Sequence, residues 1–132
     1  VYIDTSALLA LLNADDELHS DALAAYARLT SERAPLVVSG WVIAEFLNGA
    51  SAVSMRASAV RLYDALRESP RVVYVEVSQW SWEAALALYR SRPDKAWSLI
   101  DCASIWECEQ RGVRRVFTRD HHFRQAGLET LL

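Results

Sequence analysis

The sequence predicts an α/β fold: a three-layer α/β/α sandwich with a central parallel sheet. Short β-rich runs alternate with stretches of helical composition along the whole chain. Strands separated by helices pair in parallel through right-handed crossovers, which places helices on both faces of the sheet. The 132 residues are 52% hydrophobic and 23% charged, with four Gly and three Pro, a composition that excludes disorder. The length suits one domain over 1–132, and no internal repeat, low-complexity segment or linker divides it.

"VYID" opens the chain as a β-rich run stopping at Asp4, and "TSALLALLN" changes to helical composition with Thr5 or Ser6 able to cap it. A second amphipathic helix runs through "ELHSDALAAYARLTSER", where Leu23, Tyr26, Ala27 and Leu29 or Thr30 recur at helical spacing. Pro35 ends that region and "LVVS" reads as the second strand. Ser39 can cap a helix through "WVIAEFLNGA", with Gly49 as its stop. "SAVSMRASAVRLYDALRES" is another helix, closed before Pro70, and "RVVYVEVS" is the third strand and the clearest β signal. "SWEAALALYRSR" is helical up to the residue before Pro93. "SLIDCASIWECEQRG" follows as a helix with Gly112 in the C′ position. "RRVFTRD" is a fourth strand and "LETLL" a short fifth.

No apolar run approaches the roughly 20 residues that span a membrane. The start has no basic segment and meets an acid at the fourth residue, unlike a signal peptide, so a cytoplasmic location is the expectation. Cys102 and Cys108 are six apart in one predicted helix, about 9 Å along its axis, too far for a disulfide. They read as buried free thiols, and no cysteine–histidine spacing suggests zinc. The net charge of −3 predicts no general attraction to nucleic acid, so such a function needs a local source of positive charge.

Within "WSLIDCASIW", a helical reading puts Asp101 on one face with Trp97 and Ile105. An isolated ionised carboxylate there costs several kcal/mol or raises its own pKa. Three other acids fall in comparable places. Asp4 closes the first strand, Asp120 follows the fourth, and Glu45 lies on the helix after the second strand, above Trp41 and Val42. Singly, each has a structural explanation, as a cap, a turn former or the edge of a buried face. Glu107 and Glu109 fit the solvated side of their helix in that way. In doubly wound sheets, however, ligands bind beyond the carboxyl ends of strands where the strand order reverses. If strands one and four are neighbours there, a single crevice collects all four acids. Converging carboxylates need a counter-charge, and an all-acid donor set points to Mg²⁺ or Mn²⁺ rather than zinc. His19, His121 and His122 form no carboxylate-free metal cluster. Such an ion invites phosphodiester chemistry.

The segments "VYIDTSALLALL", "VIAEFLNG", "KAWSLIDCASI" and "VFTRDHHFRQAGLETLL" resemble, in order and over essentially the whole chain, the signature segments of PIN-domain ribonucleases. The likeness is greatest to the VapC-type toxins of toxin–antitoxin systems. The resemblance implies a PIN-like parallel-sheet sandwich and a Mg²⁺- or Mn²⁺-dependent endoribonuclease. It matches Asp4, Glu45 and Asp101 to the three core acids and Asp120 to a more variable fourth. Thr5, Ser6, Ser98 and Thr118 match hydroxyl positions beside them, with caps or core hydrogen bonds as the alternative roles. It further implies an RNA substrate, hydrolysis leaving a 5′-phosphate and a 3′-hydroxyl, a homodimer, and inhibition by a cognate antitoxin.

Basic residues gather in "YRSRPDKAW" and "RGVRRVFTRDHHFR", which offer Lys95 and Arg119 as substrate contacts. Trp97 can stack a base or sit in the core. Two rivals remain at this level. A haloacid-dehalogenase-type phosphoaspartyl enzyme needs a second Asp where this chain has Ser6, and a longer chain. The other is a catalytically silent module whose acids bind a partner or one structural metal.

Overall fold

A computed structural model describes all residues 1–132, and no helix in it is long and apolar enough to cross a membrane. The strands are β1 (Tyr2–Ile3), β2 (Leu36–Ser39), β3 (Val72–Val75), β4 (Arg115–Phe117) and β5 (Glu129–Thr130). The helices are α1 (Thr5–Leu12), α2 (His19–Ser31), α3 (Gly40–Gly49), α4 (Val53–Glu68), α5 (Gln79–Ser91), α6 (Leu99–Gln110) and α7 (His121–Gln125). All strand pairs are parallel and the order is β3-β2-β1-β4-β5. The chain steps one way from β1 to β3 and the other way from β4 to β5. Right-handed crossovers therefore put α1–α4 on one face and α5–α7 on the other. The order reverses between β1 and β4, where the sequence expectation had placed the crevice.

The central strands are covered on both faces, so their residues are apolar without alternation. Tyr2, Ile3, Leu36, Val38, Val116 and Phe117 are all buried. The strongest β signal in the sequence belongs instead to the edge strand β3, which stops at Val75 and leaves Val73 half exposed. Arg67 shields that edge by lying over the Tyr74 ring at 4.0 Å.

The structure changes several local expectations. Asp4, not Thr5 or Ser6, caps α1, because its carboxylate accepts from the Ser6 backbone N–H. The buried face of α2 is Ala22, Ala25 and Leu29, while Leu23, Tyr26, Ala27 and Thr30 face solvent. Small residues let α2 approach closely, a selection that hydrophobicity alone does not reveal. The final turn of α3 includes Gly49, and Ala50 serves as its C-cap. Ser39 caps α3, and Gly112 follows α6 with φ 62°, both as the sequence indicates. Glu107 is buried rather than solvated, and the Arg111 Nε lies 3.2 Å from its carboxylate. The α7 turn after Asp120 has no counterpart in the sequence reading.

α6 begins at Leu99, so Trp97 lies outside it and cannot share a helical face with Asp101. Asp101 is the third residue of the helix and closes a capping box with Ser98. Ser98 Oγ accepts from the Asp101 backbone N–H, and the Ser98 N–H donates to Asp101 Oδ2 at 2.7 Å. The acid therefore sits at the positive end of a helix dipole rather than inside an apolar stripe. Cys102 and Cys108 are free and buried.

Candidate active site

The four acids reach one cleft of about 550 Å³ from four different elements. Asp4 leaves β1, Glu45 projects from α3, Asp101 from the first turn of α6, and Asp120 caps α7 beyond β4. The pairing of Ile3 with Phe117 and the bond from the Asp4 N–H to the Phe117 carbonyl, 3.1 Å, set the ends of β1 and β4 side by side. Parallel register thus converts two distant acids, Asp4 and Asp120, into neighbours.

Each carboxylate is held through one oxygen. Asp4 Oδ2 accepts from Ser6 Oγ at 2.8 Å and Thr118 Oγ1 at 2.7 Å. Thr5 Oγ1 donates to Glu45 Oε2. Asp101 Oδ2 accepts from the Ser98 N–H, and Asp120 Oδ1 from the His122 N–H at 2.8 Å. No protein hydrogen bond occupies the second oxygen of any of the four side chains. The four hydroxyl residues named from the sequence therefore all touch the acids or their supports. Thr118 also accepts from the Asp120 N–H at 2.9 Å, so one hydroxyl spans two strand ends.

Burial pushes the Asp4 carboxyl above the usual range, against the hydrogen bonds from Thr118 and Ser6 that favour its charged form. Glu45 is also raised, first by burial, then by the charges of Asp4, Asp101 and Asp120, while the Thr5 hydroxyl opposes the shift. That three separate acids act on Glu45 is the electrostatic signature of convergence.

His122, which the sequence offers only as one of three histidines outside any carboxylate-free cluster, also lines the cleft. His122 Nδ1 lies 3.1 Å from Asp101 Oδ2 and 3.4 Å from Asp120 Oδ1, between two of the acids. The signal was its position two residues after Asp120, on the first turn of a helix that the sequence reading lacked. Ligand atoms of Asp120, His121 and His122 also lie within 4.8 Å of one another. Asp16 and Asn48 complete part of the wall.

The two basic candidates separate. Arg119 lines the cleft, 3.4 Å from Glu17 and 4.0 Å from Asp16. Lys95 lines an adjoining cavity instead. Trp97 is 5% exposed and its indole N–H donates to Gln125 Oε1 at 3.1 Å, so it belongs to the core rather than to an open stacking surface.

The donor set fits a hard divalent cation: four carboxylates on one cleft, each with an oxygen that the protein leaves free, and one imidazole.

Comparison with known proteins agrees with this architecture. No curated protein matches the sequence. Among solved structures, the chain is similar to Mycobacterium tuberculosis VapC20, described as a Sarcin-Ricin loop cleaving toxin. The TM-score is 0.82 at 25% identity, over 96% of this chain and 95% of that one. FitAcB from Neisseria gonorrhoeae shares the fold with a TM-score of 0.66 at 17% identity, over 98% and 94% of the two chains. The PIN domain family matches residues 1–128, and the chain belongs to that family.

Proposed function

We propose that this protein is a Mg²⁺- or Mn²⁺-dependent endoribonuclease of the VapC toxin type. The observation that carries the reading is the convergence of Asp4, Glu45, Asp101 and Asp120 on one cleft at the strand-order reversal. The likeness to VapC20, a Sarcin-Ricin loop cleaving toxin by its description, supports it.

Asp4, Asp101, Glu45 and Asp120 would hold the cation, which supplies a water of lowered pKa and charge neutralisation at phosphate. Glu45 either joins that ligation or accepts the proton of the attacking water, and its carboxyl is raised by burial first and by the neighbouring acids next. Thr5, Ser6 and Thr118 fix the carboxylates by their hydroxyls, and Ser98 fixes Asp101 through the capping box. Arg119, at the rim, meets the RNA phosphate on exchanging its Asp16 and Glu17 contacts for it. The products are a 5′-phosphate and a 3′-hydroxyl. We assign the protein to the cytoplasm as a homodimer, with a cognate antitoxin as its inhibitor.

The test is cleavage of total RNA with Mn²⁺, with chelator, and by Asp101→Asn. Cleavage that needs the ion and falls at least a thousandfold in the variant is expected. Equal activity in variant and wild type would remove the reading.

A further inference from the structure

We propose that the cavity beside the acid cleft is a subsite for a nucleobase of single-stranded RNA, next to the phosphodiester that the acids face. This deepens, and rests on, the ribonuclease reading above. The cavity measures about 910 Å³, within the range of ligand pockets. Ala96 and Ser98 line both it and the acid cleft, so the two spaces adjoin across a single segment of backbone.

Its chemistry is mixed in the way a nucleotide needs. Leu86, Pro93 and Leu99 make apolar walls, and Tyr89, 51% exposed, offers a ring to a base. Arg90, Arg92 and Lys95 line the same cavity, and no acid does, although the chain carries a net charge of −3. Arg92 is already engaged: Nε and Nη2 each lie 2.9 Å from Asp94, and its guanidinium covers the Trp97 ring at 4.9 Å. It forms part of the wall. Arg90 makes no ion pair and Lys95 has only a 3.9 Å contact to Asp94, so these two carry the charge available to phosphate.

Continuity with the cleft selects the occupant. A ligand reaching from this cavity into the cleft meets four carboxylates, which repel an acidic peptide but accept a phosphodiester bridged by a cation. A base stacked on Tyr89, with its phosphates toward Lys95 and the cleft, satisfies both spaces.

The test is binding of fluorescein-labelled hexamers rU6 and rA6 to the full chain carrying Asp101→Asn, in Mn²⁺, where the bridging cation is present and cleavage is suppressed. Tyr89→Ala and Lys95→Ala are each expected to weaken binding about tenfold, and Lys95→Ala to lower the salt slope by about one. Tyr89→Phe should retain affinity, and Trp80→Ala, an aromatic 81% exposed outside the cavity, should match wild type. Tyr89 is exposed and Lys95 half-buried, and circular dichroism of the variants checks that they fold.

Unchanged hexamer affinity in both alanine variants overturns the subsite. So does an acidic peptide whose binding requires Tyr89 and Lys95 while RNA binding does not, since the cavity then serves a protein. Cleavage of total RNA with Mn²⁺ separates the levels. If wild type cleaves and the alanine variants keep its KM, the subsite fails and the ribonuclease stands. If hexamers bind as expected but no RNA is cut, the ribonuclease reading fails alone.

Discussion

Thr118 donates its hydroxyl to Asp4 Oδ2 over 2.7 Å, linking residues 114 apart in sequence at the point where β1 and β4 end. Thr118 Oγ1 also accepts from the Asp120 N–H, so one hydroxyl holds Asp4 by its carboxylate and Asp120 by its backbone. Thr118→Val keeps the shape and removes both bonds, together with the 2.9 Å contact to Ser6 Oγ. A loss of about 2 kcal/mol in urea unfolding is expected, since a buried charged acceptor loses a donor. Mn²⁺ affinity by calorimetry should fall about tenfold. Thr118→Ser should restore most of both; wild-type affinity in the valine variant would contradict this role.

The Tyr2 hydroxyl is fully buried, 2.7 Å from Ser39 Oγ and 3.1 Å from Ser104 Oγ. Ser39 caps the helix that carries Glu45, and Ser104 lies one turn beyond Asp101 on α6. One phenol therefore ties β1 to both helices that bring acids to the cleft. Burial pushes that phenol far above its usual range, so it stays protonated and able to donate. Tyr2→Phe should cost about 1–2 kcal/mol, from two buried hydroxyls losing a partner. Denaturation midpoints report it directly.

Glu45 is held above its ordinary 4.5 by burial and by three nearby acids. The folded state therefore binds its proton more tightly than the unfolded chain does. Its contribution to stability is complete below pH 4.5 and is lost as pH rises through the raised folded value. At pH 7, without divalent ion, Glu45→Gln should accordingly stabilise the protein, by about 0.5–1 kcal/mol. The gain should vanish near pH 4, where both side chains are neutral. Thermal melts in chelator at the two pH values check the sign; destabilisation at pH 7 would count against convergent repulsion.

Burial raises the Cys102 thiol to about 11 and the Cys108 thiol to about 12. Both should be unreactive toward iodoacetamide at pH 8 in the folded protein, because almost no thiolate is present or accessible. Unfolding in urea should release two reactive thiols per chain. Mass spectrometry of the alkylated protein counts them.

The acids were legible in the sequence because their local settings are unusual: Asp4 and Asp120 end β-rich runs, and Glu45 and Asp101 interrupt apolar helical ones. The packing of α2 was not, since Leu23 and Tyr26 are the larger hydrophobes yet Ala22 and Ala25 make the contact. Glu107 was misplaced for a related reason: Arg111, one turn on, lets a carboxylate enter a buried position that composition assigns to solvent. Asp101 was found in the right place for an incomplete reason, because the helix start that makes it a capping residue depends on Ser98 adopting extended backbone. Nothing local in the sequence links His122 to Asp101, an acid 21 residues earlier.

The sequence by itself determined the alternation of strands and helices, the parallel architecture that follows, and the identity of the four acids. Those features are local, set by periodicity, caps and breakers within a few residues. Tertiary structure decided which faces are buried, that β1 and β4 are neighbours, and that Thr118, Tyr2 and His122 serve the acids. Those are contacts between residues far apart in sequence, set by strand register and helix packing that no short stretch of sequence contains.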